Sequence, residues 1–380
     1  MSTKNKWVAG IIIVAIVIWA GYSLFSGTGS PSQTSSGPIR IGFMGPLTGD
    51  EASVGENGLA AVQIARDEIN SAGGVNGRQV EVIAEDSKCD PTAAADAANK
   101  LVNVDKVTAI IGGLCSSETL AAIPIAQAAH IPIISYGSTN PKITTAGDYK
   151  YRFVPSDNLQ GKFAAEYIAN TLKAKRVAIL YCLSDWCVGL HDVVKQRLGE
   201  LGVSVVDEEG FQQGAQDLRT QVTKIKAANP DVVYFPAYTG ETIIGLKQIK
   251  QLGLKVKLIG ADGWDDPKIP AEAGSAADGA MYVIPANEQL PQSFIDKMAK
   301  LVGGPQLIAY SPRAYDILKA LAGIMQSVGA NSEKINAALK NNFTYKGIAD
   351  TYTIDQNGDD VTAKYIIKGY EGGKIVELGQ

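Results

Sequence analysis

From residue 39 onward, short apolar runs rich in β-branched residues alternate with longer stretches whose apolar positions recur at helical spacing. The first runs predict strands over Ile39 to Met44, Gln79 to Glu85, Val107 to Ile111 and Ile131 to Ser135. Between them the spacing predicts helices over Gly58 to Ser71, Pro91 to Asn103 and Ser117 to Ala129. The cycle restarts with a helix over Ala164 to Leu172 and strands over Arg176 to Tyr181, Val203 to Glu208, Val232 to Pro236 and Lys257 to Ile259. Helices over Val188 to Leu201, Leu218 to Ala228 and Glu241 to Leu252 separate those strands. Strand and helix in strict alternation build parallel sheets. Two doubly wound units of similar plan are therefore expected, over residues 39–155 and 157–283. The remaining segment predicts helices over Pro312 to Val328 and Asn331 to Lys340, then strands over Ala349 to Ile354, Ala363 to Lys368 and Lys374 to Leu378. It is too short for a core of its own and is expected to return to both units.

The amino-terminal segment follows another pattern. Trp7 to Phe25 is an uncharged run of 19 residues, and Lys4 and Lys6 are the only charges before it. Its length matches a hydrocarbon core of roughly 30 Å, and the flanking lysines place the short tail in the cytoplasm and the rest outside. We read it as a retained anchor, with a cleaved signal as the alternative. Ser26 to Ser30 offers small residues but no clear cleavage site, and the Gly-, Ser- and Pro-rich stretch to Pro38 reads as a flexible tether. Two of 35 basic and none of 39 acidic residues precede residue 38. The exported part thus carries 33 against 39, a net charge of −6, which argues against a nucleic-acid partner.

All four cysteines, Cys89, Cys115, Cys182 and Cys187, lie in the exported part, where disulfides are permitted. Three pairings exist, and proximity in sequence favours Cys89 with Cys115 and Cys182 with Cys187. With no C-x-x-C, and His130 and His191 far from any cysteine cluster, no metal site is expected.

Ligands bind parallel sheets at the carboxyl ends of the strands, so the loops there hold the candidate chemistry. Ser116, Ser117 and Thr119 follow the third strand, and Gly137, Ser138 and Thr139 follow the fourth. Hydroxyls and free N–H groups at a helix start suit a small carboxylate, although Ser116 or Ser117 serves equally well as a helix cap. In the second unit Tyr238 and Asp262 follow strands and suit an ammonium. Trp186, between Cys182 and Cys187, presents a large aromatic at the same edge, or else packs on the surface. Nucleophile-elbow, phosphate-loop, dinucleotide and zinc-hydrolase motifs are missing, so we expect binding without catalytic residues or cofactors.

Several segments carry a close resemblance to a known family. Ile39 to Gly49 (IRIGFMGPLTG), Asp67 to Gly77 (DEINSAGGVNG), Glu85 to Pro91 (EDSKCDP) and Ile111 to Ser117 (IGGLCSS) resemble the branched-chain amino acid binding proteins of ABC importers. The likeness continues through Val154 to Gly161 (VPSDNLQG), Gln221 to Lys226 (QVTKIK) and Asp355 to Asp359 (DQNGD). It implies an α/β type I periplasmic binding protein fold, with two doubly wound parallel-sheet lobes joined by a three-crossing hinge. By that likeness residues 1–6 are a tail, 7–25 the anchor or signal and 26–37 the linker. Residues 38–156 plus 286–361 form the first lobe, and 157–285 plus 362–380 the second. Crossings near Pro155, Pro285 and residues 360–362 would be the hinge. The family's cysteine pair falls on Cys89 and Cys115, its carboxylate-binding groups on Ser116, Gly137, Ser138 and Thr139, its covering aromatic on Trp186, and its ammonium partners on Tyr238 and Asp262.

The sequence departs from that pattern in three places. Asp262 stands where relatives usually have Glu, Val54 where they often have Tyr, and Cys187 where a Gly is usual. The expected function is capture of an amino acid, branched-chain or similarly aliphatic, by a monomer that serves an ABC permease and is held to the membrane by its anchor. A sensor of the same fold for an amide, urea or amino acid, coupled to a signalling partner, is the alternative.

Overall fold

The computed structural model describes residues 37–302, 310–362 and 364–379. The expected anchor and its tether, up to residue 36, lie outside the described residues, and no described helix is long and apolar enough to cross a membrane.

Strand β1 (Ile39–Gly45) is buried along nearly its whole length and leads through a glycine-rich turn into α1 (Ala52–Ser71). The helix starts six residues earlier than the sequence suggests, because Gly55 reads as a breaker. Gly55 is instead a contact point: a Cβ there would lie 1.8 Å from the Pro46 carbonyl oxygen. Next come β2 (Val80–Asp86), α2 (Pro91–Asn103), β3 (Ala109–Ile111), α3 (Ser116–Ala128), β4 (Ile133–Ser135) and β5 (Lys150–Arg152). Helix α2 starts where Asp90 accepts from the N–H groups of Thr92 and Ala93, both at 2.9 Å, with proline at its first position. The five strands form one parallel sheet in the order β2-β1-β3-β4-β5. β5 was not expected, since Lys150-Tyr151-Arg152 reads as polar.

The second round runs α4 (Asp157–Glu166), β6 (Arg176–Cys182), α5 (Asp185–Glu200), β7 (Ser204–Phe211), α6 (Arg219–Ala228) and β8 (Val232–Tyr234). It continues with α7 (Thr239–Gln251), β9 (Lys257–Gly260), α8 (Lys268–Ala273) and β10 (Met281–Pro285). A single π-helical turn, Tyr167–Thr171, extends α4. The remaining elements are α9 (Gln292–Val302), α10 (Ser311–Val328), α11 (Ser332–Lys340), the hairpin β11 (Thr344–Lys346) and β12 (Thr351–Thr353), and strands β13 (Tyr365–Glu371) and β14 (Lys374–Gly379). The second sheet has the order β14-β13-β10-β9-β8-β6-β7. It is parallel from β10 to β7, and β13 joins it antiparallel to both β10 and β14.

The tail serves both sheets. α10 packs along α1, where Glu68 accepts from the Tyr315 hydroxyl at 2.5 Å and pairs with Lys297 and Lys319. Asp316, buried on the same helix, accepts from the Ile348 and Ala349 N–H groups and the Tyr352 hydroxyl, which fixes the β11–β12 hairpin against it. The central strands of both sheets are almost wholly buried isoleucine, valine, leucine and alanine. Each fully buried Ile, Val or Leu there contributes about 1.5–3 kcal/mol.

Both expected disulfides form, Cys89 with Cys115 and Cys182 with Cys187, each with Cα atoms 5.4 Å apart. They close loops of very different size, with sequence separations of 26 and 5. In the chain-entropy picture the larger loop is worth about 3 to 4 kcal/mol and the smaller about 2. Replacing Cys89 and Cys115 together by alanine should therefore lower stability by roughly 1 to 2 kcal/mol more than replacing Cys182 and Cys187. Urea denaturation of the two double variants side by side measures the difference, and equal losses would count against the loop-closure account.

Candidate functional site

In each sheet there is one place where successive connections leave in opposite directions, between β1 and β3 in the first and between β6 and β8 in the second. Such switch points open a crevice beyond the strand ends. The two crevices face one cavity. Glu51 and Val54 follow β1, Leu114 and Ser116 follow β3, and Gly137 follows β4. From the other side come Trp186 after β6, Tyr238 after β8, and Asp262, Gly263, Asp265 and Asp266 after β9, while Tyr310 precedes α10.

The first wall is built on α3. Its opening turn is organised by Glu118, whose carboxylate accepts from the Leu114 and Cys115 N–H groups and from the Ser87 hydroxyl. Neither serine caps the helix. Ser116 Oγ accepts from Asn140 N–H at 3.2 Å, and Ser117 Oγ from Asp185 N–H at 3.4 Å, on the opposite wall. The first N–H groups of a helix lack intrahelical partners, so this end of α3 offers donors and a positive dipole end to an anion. Ser135 Oγ donates to the Gly113 carbonyl at 2.7 Å and accepts from the N–H groups of Gly137 and Ser138, which stitches the two site loops together.

The second wall carries the negative charge. Asp262 is buried, with one oxygen accepting from Gln160 Nε2 at 2.5 Å and the other from the Tyr310 hydroxyl. Asp157 lies close by, fully buried, with neither oxygen in a hydrogen bond of standard geometry. Burial, and then the charge of Asp262, pushes Asp157 well above the usual carboxylate range, against the opposing Thr139 hydroxyl and Arg152. Burial also raises Asp262, opposed by the bonds from Tyr310 and Gln160. Trp186 is 3% exposed and its ring centroid lies 4.8 Å from that of Tyr238. The tryptophan lies so close over Gly263 that a Cβ there would come within 2.5 Å of the ring.

Of the seven residues the sequence nominates, Ser116, Gly137, Trp186, Tyr238 and Asp262 line the cavity. Ser138 and Thr139 sit behind the wall. The Ser138 hydroxyl lies 2.6 Å from that of Thr119 and donates to the Leu114 carbonyl, while the Thr139 hydroxyl is buried without a hydrogen bond of standard geometry. Sequence reasoning missed Glu51, Asp265, Asp266 and Tyr310. The strand-end rule that found Asp262 also covers Asp265 and Asp266, only three and four residues further on. Asp157 and Gln160 sit within the VPSDNLQG segment, whose side chains were given no role. Nothing in the sequence around Tyr310 marks it. Among the described residues no cluster of His, Cys, Asp and Glu has the makings of a metal site.

Two switch-point crevices closing on one cavity define a two-walled solute-binding cleft. Residues 38–373 match the periplasmic binding protein family, and the chain belongs to that family. A leucine-, isoleucine-, valine-, threonine- and alanine-binding protein of Pseudomonas aeruginosa is 34% identical over 352 residues, 91% of each chain. An amino acid binding protein of the same organism is 32% identical over 90% of this chain and 92% of its own. Among solved structures, a leucine-binding protein from Thermotoga maritima superposes with a TM-score of 0.82 at 26% identity, covering 90% of this chain and 98% of its own. A branched-chain amino acid transporter substrate-binding protein from Streptococcus pneumoniae, in complex with isoleucine, gives 0.80 at 25% identity over 90% and 99%. The fold is the type I periplasmic binding fold that the sequence led us to expect.

Glu118 yields a prediction. Burial pushes its carboxyl from 4.5 up to about 7, against the bonds from Ser87, Cys115 and Leu114. A group protonated more readily when folded stabilises the protein fully below its unfolded value, and that contribution is lost as pH rises through the folded one. Parent stability should accordingly fall between pH 4.5 and about 7 by a component that Glu118→Gln removes. Urea midpoints across that window for the two proteins check it, and identical pH slopes would contradict it.

Proposed function

We propose that the protein is an extracytoplasmic substrate-binding protein that captures an α-amino acid and presents it to an ABC importer, without covalent chemistry. The observation that carries this reading is the opposition of the two walls. One offers the start of α3 with Ser116 and Gly137, and the other offers Asp262 with Tyr238 and Trp186. The first suits a carboxylate and the second an ammonium, the two groups every free amino acid carries at fixed separation. The ligands named for the relatives, leucine, isoleucine, valine, threonine and alanine among them, support the same class.

In this reading Ser116, Gly137 and the N–H groups of the α3 start take the ligand carboxylate, with Ser138 and Thr139 bracing them from behind. Asp262 takes the ammonium, and Trp186 covers the ligand. Val54, Leu114 and Trp186 supply apolar surface for an aliphatic side chain. The two sheets are the cores of two lobes, residues 38–156 plus 286–361 and residues 157–285 plus 362–380. They hinge where the chain crosses after β5, after β10 and between β12 and β13. A ligand held from both walls favours closure because it binds the closed state better than the open one. Three contacts across the cleft support walls that can meet: Thr239 N–H donates to Glu51 at 3.1 Å, Ser53 to Asp266 at 2.8 Å, and Lys142 pairs with Asp185 at 3.2 Å. The apolar run of residues 7–25 tethers the protein to the membrane beside its permease.

Two measurements test this. Titration calorimetry with the twenty amino acids should find a ligand for the parent, and Asp262→Ala should weaken it by about 2 to 5 kcal/mol, as for other buried charge pairs. Undiminished affinity in the variant would remove Asp262 from the site. Small-angle scattering should show the radius of gyration falling when that ligand is added, as hinge closure requires, and an unchanged radius would rule out ligand-driven closure.

A further inference from the structure

The cavity described above has a neighbour. Glu51 and Tyr238 also line a second, larger cavity toward the mouth of the cleft, with about 860 Å3 of space including its opening. Asp262 borders the first cavity and not the second, while Glu241 borders the second and not the first. Glu51 thus stands between the cavity that Asp262 lines and the one that Glu241 lines.

These acids are not matched by protein cations. Glu51 is 6% exposed and accepts from Thr239 N–H, and among the described residues no Lys or Arg pairs with it. Glu241 is 3% exposed; one oxygen accepts from Gly214 N–H at 2.6 Å, and the other, Oε2, is buried with no hydrogen-bond partner. Asp50 and Asp90 add negative charge at the opening, and Lys88, exposed, is the one basic side chain on that lining. A buried carboxylate without a counter-charge is costly, and burial raises both Glu51 and Glu241 above the usual range, the neighbouring acids adding to it. An aliphatic side chain would leave that cost in place, whereas a cation would relieve it.

We propose that the ligand range of this site extends to α-amino acids whose side chain ends in a cation. The apolar stem would pass Val54 and Trp186, and the charged end would lie between Glu51 and Glu241. This rests on the amino-acid reading given above, with Asp262 holding the α-ammonium.

Lysine and norleucine separate the two readings, since they share a straight four-carbon side chain and differ by the terminal ammonium. Calorimetry on the detergent-solubilised full chain should give lysine an affinity at least ~10-fold above norleucine, the scale of one well-placed charge pair. Glu51→Gln should reduce that ratio to near unity, and Glu241→Gln should reduce it in part, with circular dichroism verifying that both variants fold. Norleucine and leucine binding at least as tightly as lysine would overturn the inference and leave the amino-acid reading standing. A lysine-to-norleucine ratio unchanged by Glu51→Gln would also overturn it. Binding of none of the three would overturn the inference, while the titration with all twenty amino acids decides the amino-acid reading separately.

Discussion

The arrangement of the site depends on one buried cation. Arg152, fully enclosed at the end of β5, pairs with Asp359 at 2.7 Å and donates to the carbonyls of Thr139 and Asn140 at 2.9 and 3.0 Å and to the Thr144 hydroxyl at 2.8 Å. Its own N–H donates to the Gly358 carbonyl, and Asp157 N–H donates to that of Thr139. One guanidinium thus joins the loop behind the binding wall, the last strand of the first sheet and the turn that leads to β13. The planar fork of arginine suits several fixed acceptors at once, which lysine's single ammonium does not. A buried pair of this kind adds little net stability, but removing one partner leaves the other charge stranded at about 3–5 kcal/mol.

The same junction explains which parts of the structure are legible from sequence. Strands β1, β6 and β9 were readable because burial on both faces makes them apolar runs. β5 was not, because two of its three residues are charged and yet buried. Lys150 donates to the Thr144 and Asn357 carbonyls and Arg152 to the acceptors above, a compensation that appears only after the chain has folded. The early start of α1 was hidden in the same way, since Gly55 reads locally as a break while its reason, the Pro46 carbonyl against the helix, is a tertiary contact. In the site, strand-end loops pointed to Ser116, Gly137, Tyr238, Trp186 and Asp262. Glu51 lay outside that view because it follows a loop of Thr, Gly and Asp that reads as a plain turn.

Electrostatically the cleft is lopsided. The first sheet supplies hydroxyls and helix N–H groups with Lys150 and Arg152 recessed, and the second supplies Asp262, Asp265 and Asp266, with Glu51 reaching across from the first. Asp265 is met by Lys368 at 3.0 Å, and among the described residues the cavity-lining acids with no Lys or Arg in an ion pair are Asp262, Glu51 and Asp266. For the amino acid proposed above as ligand, that distribution would draw the ammonium toward the second sheet.

The two disulfides occupy matching stations, one on each side of the cleft. Cys115 lies between Leu114 and Ser116, and Cys187 directly follows Trp186, so each wall's foremost residues ride on a covalently closed ring. Each ring restricts the shapes its loop can take. The loops then lose little freedom when a guest arrives, and less of the interaction energy is consumed in ordering them. In the hinge motion proposed above, what would move is the angle between two walls already stiffened from within.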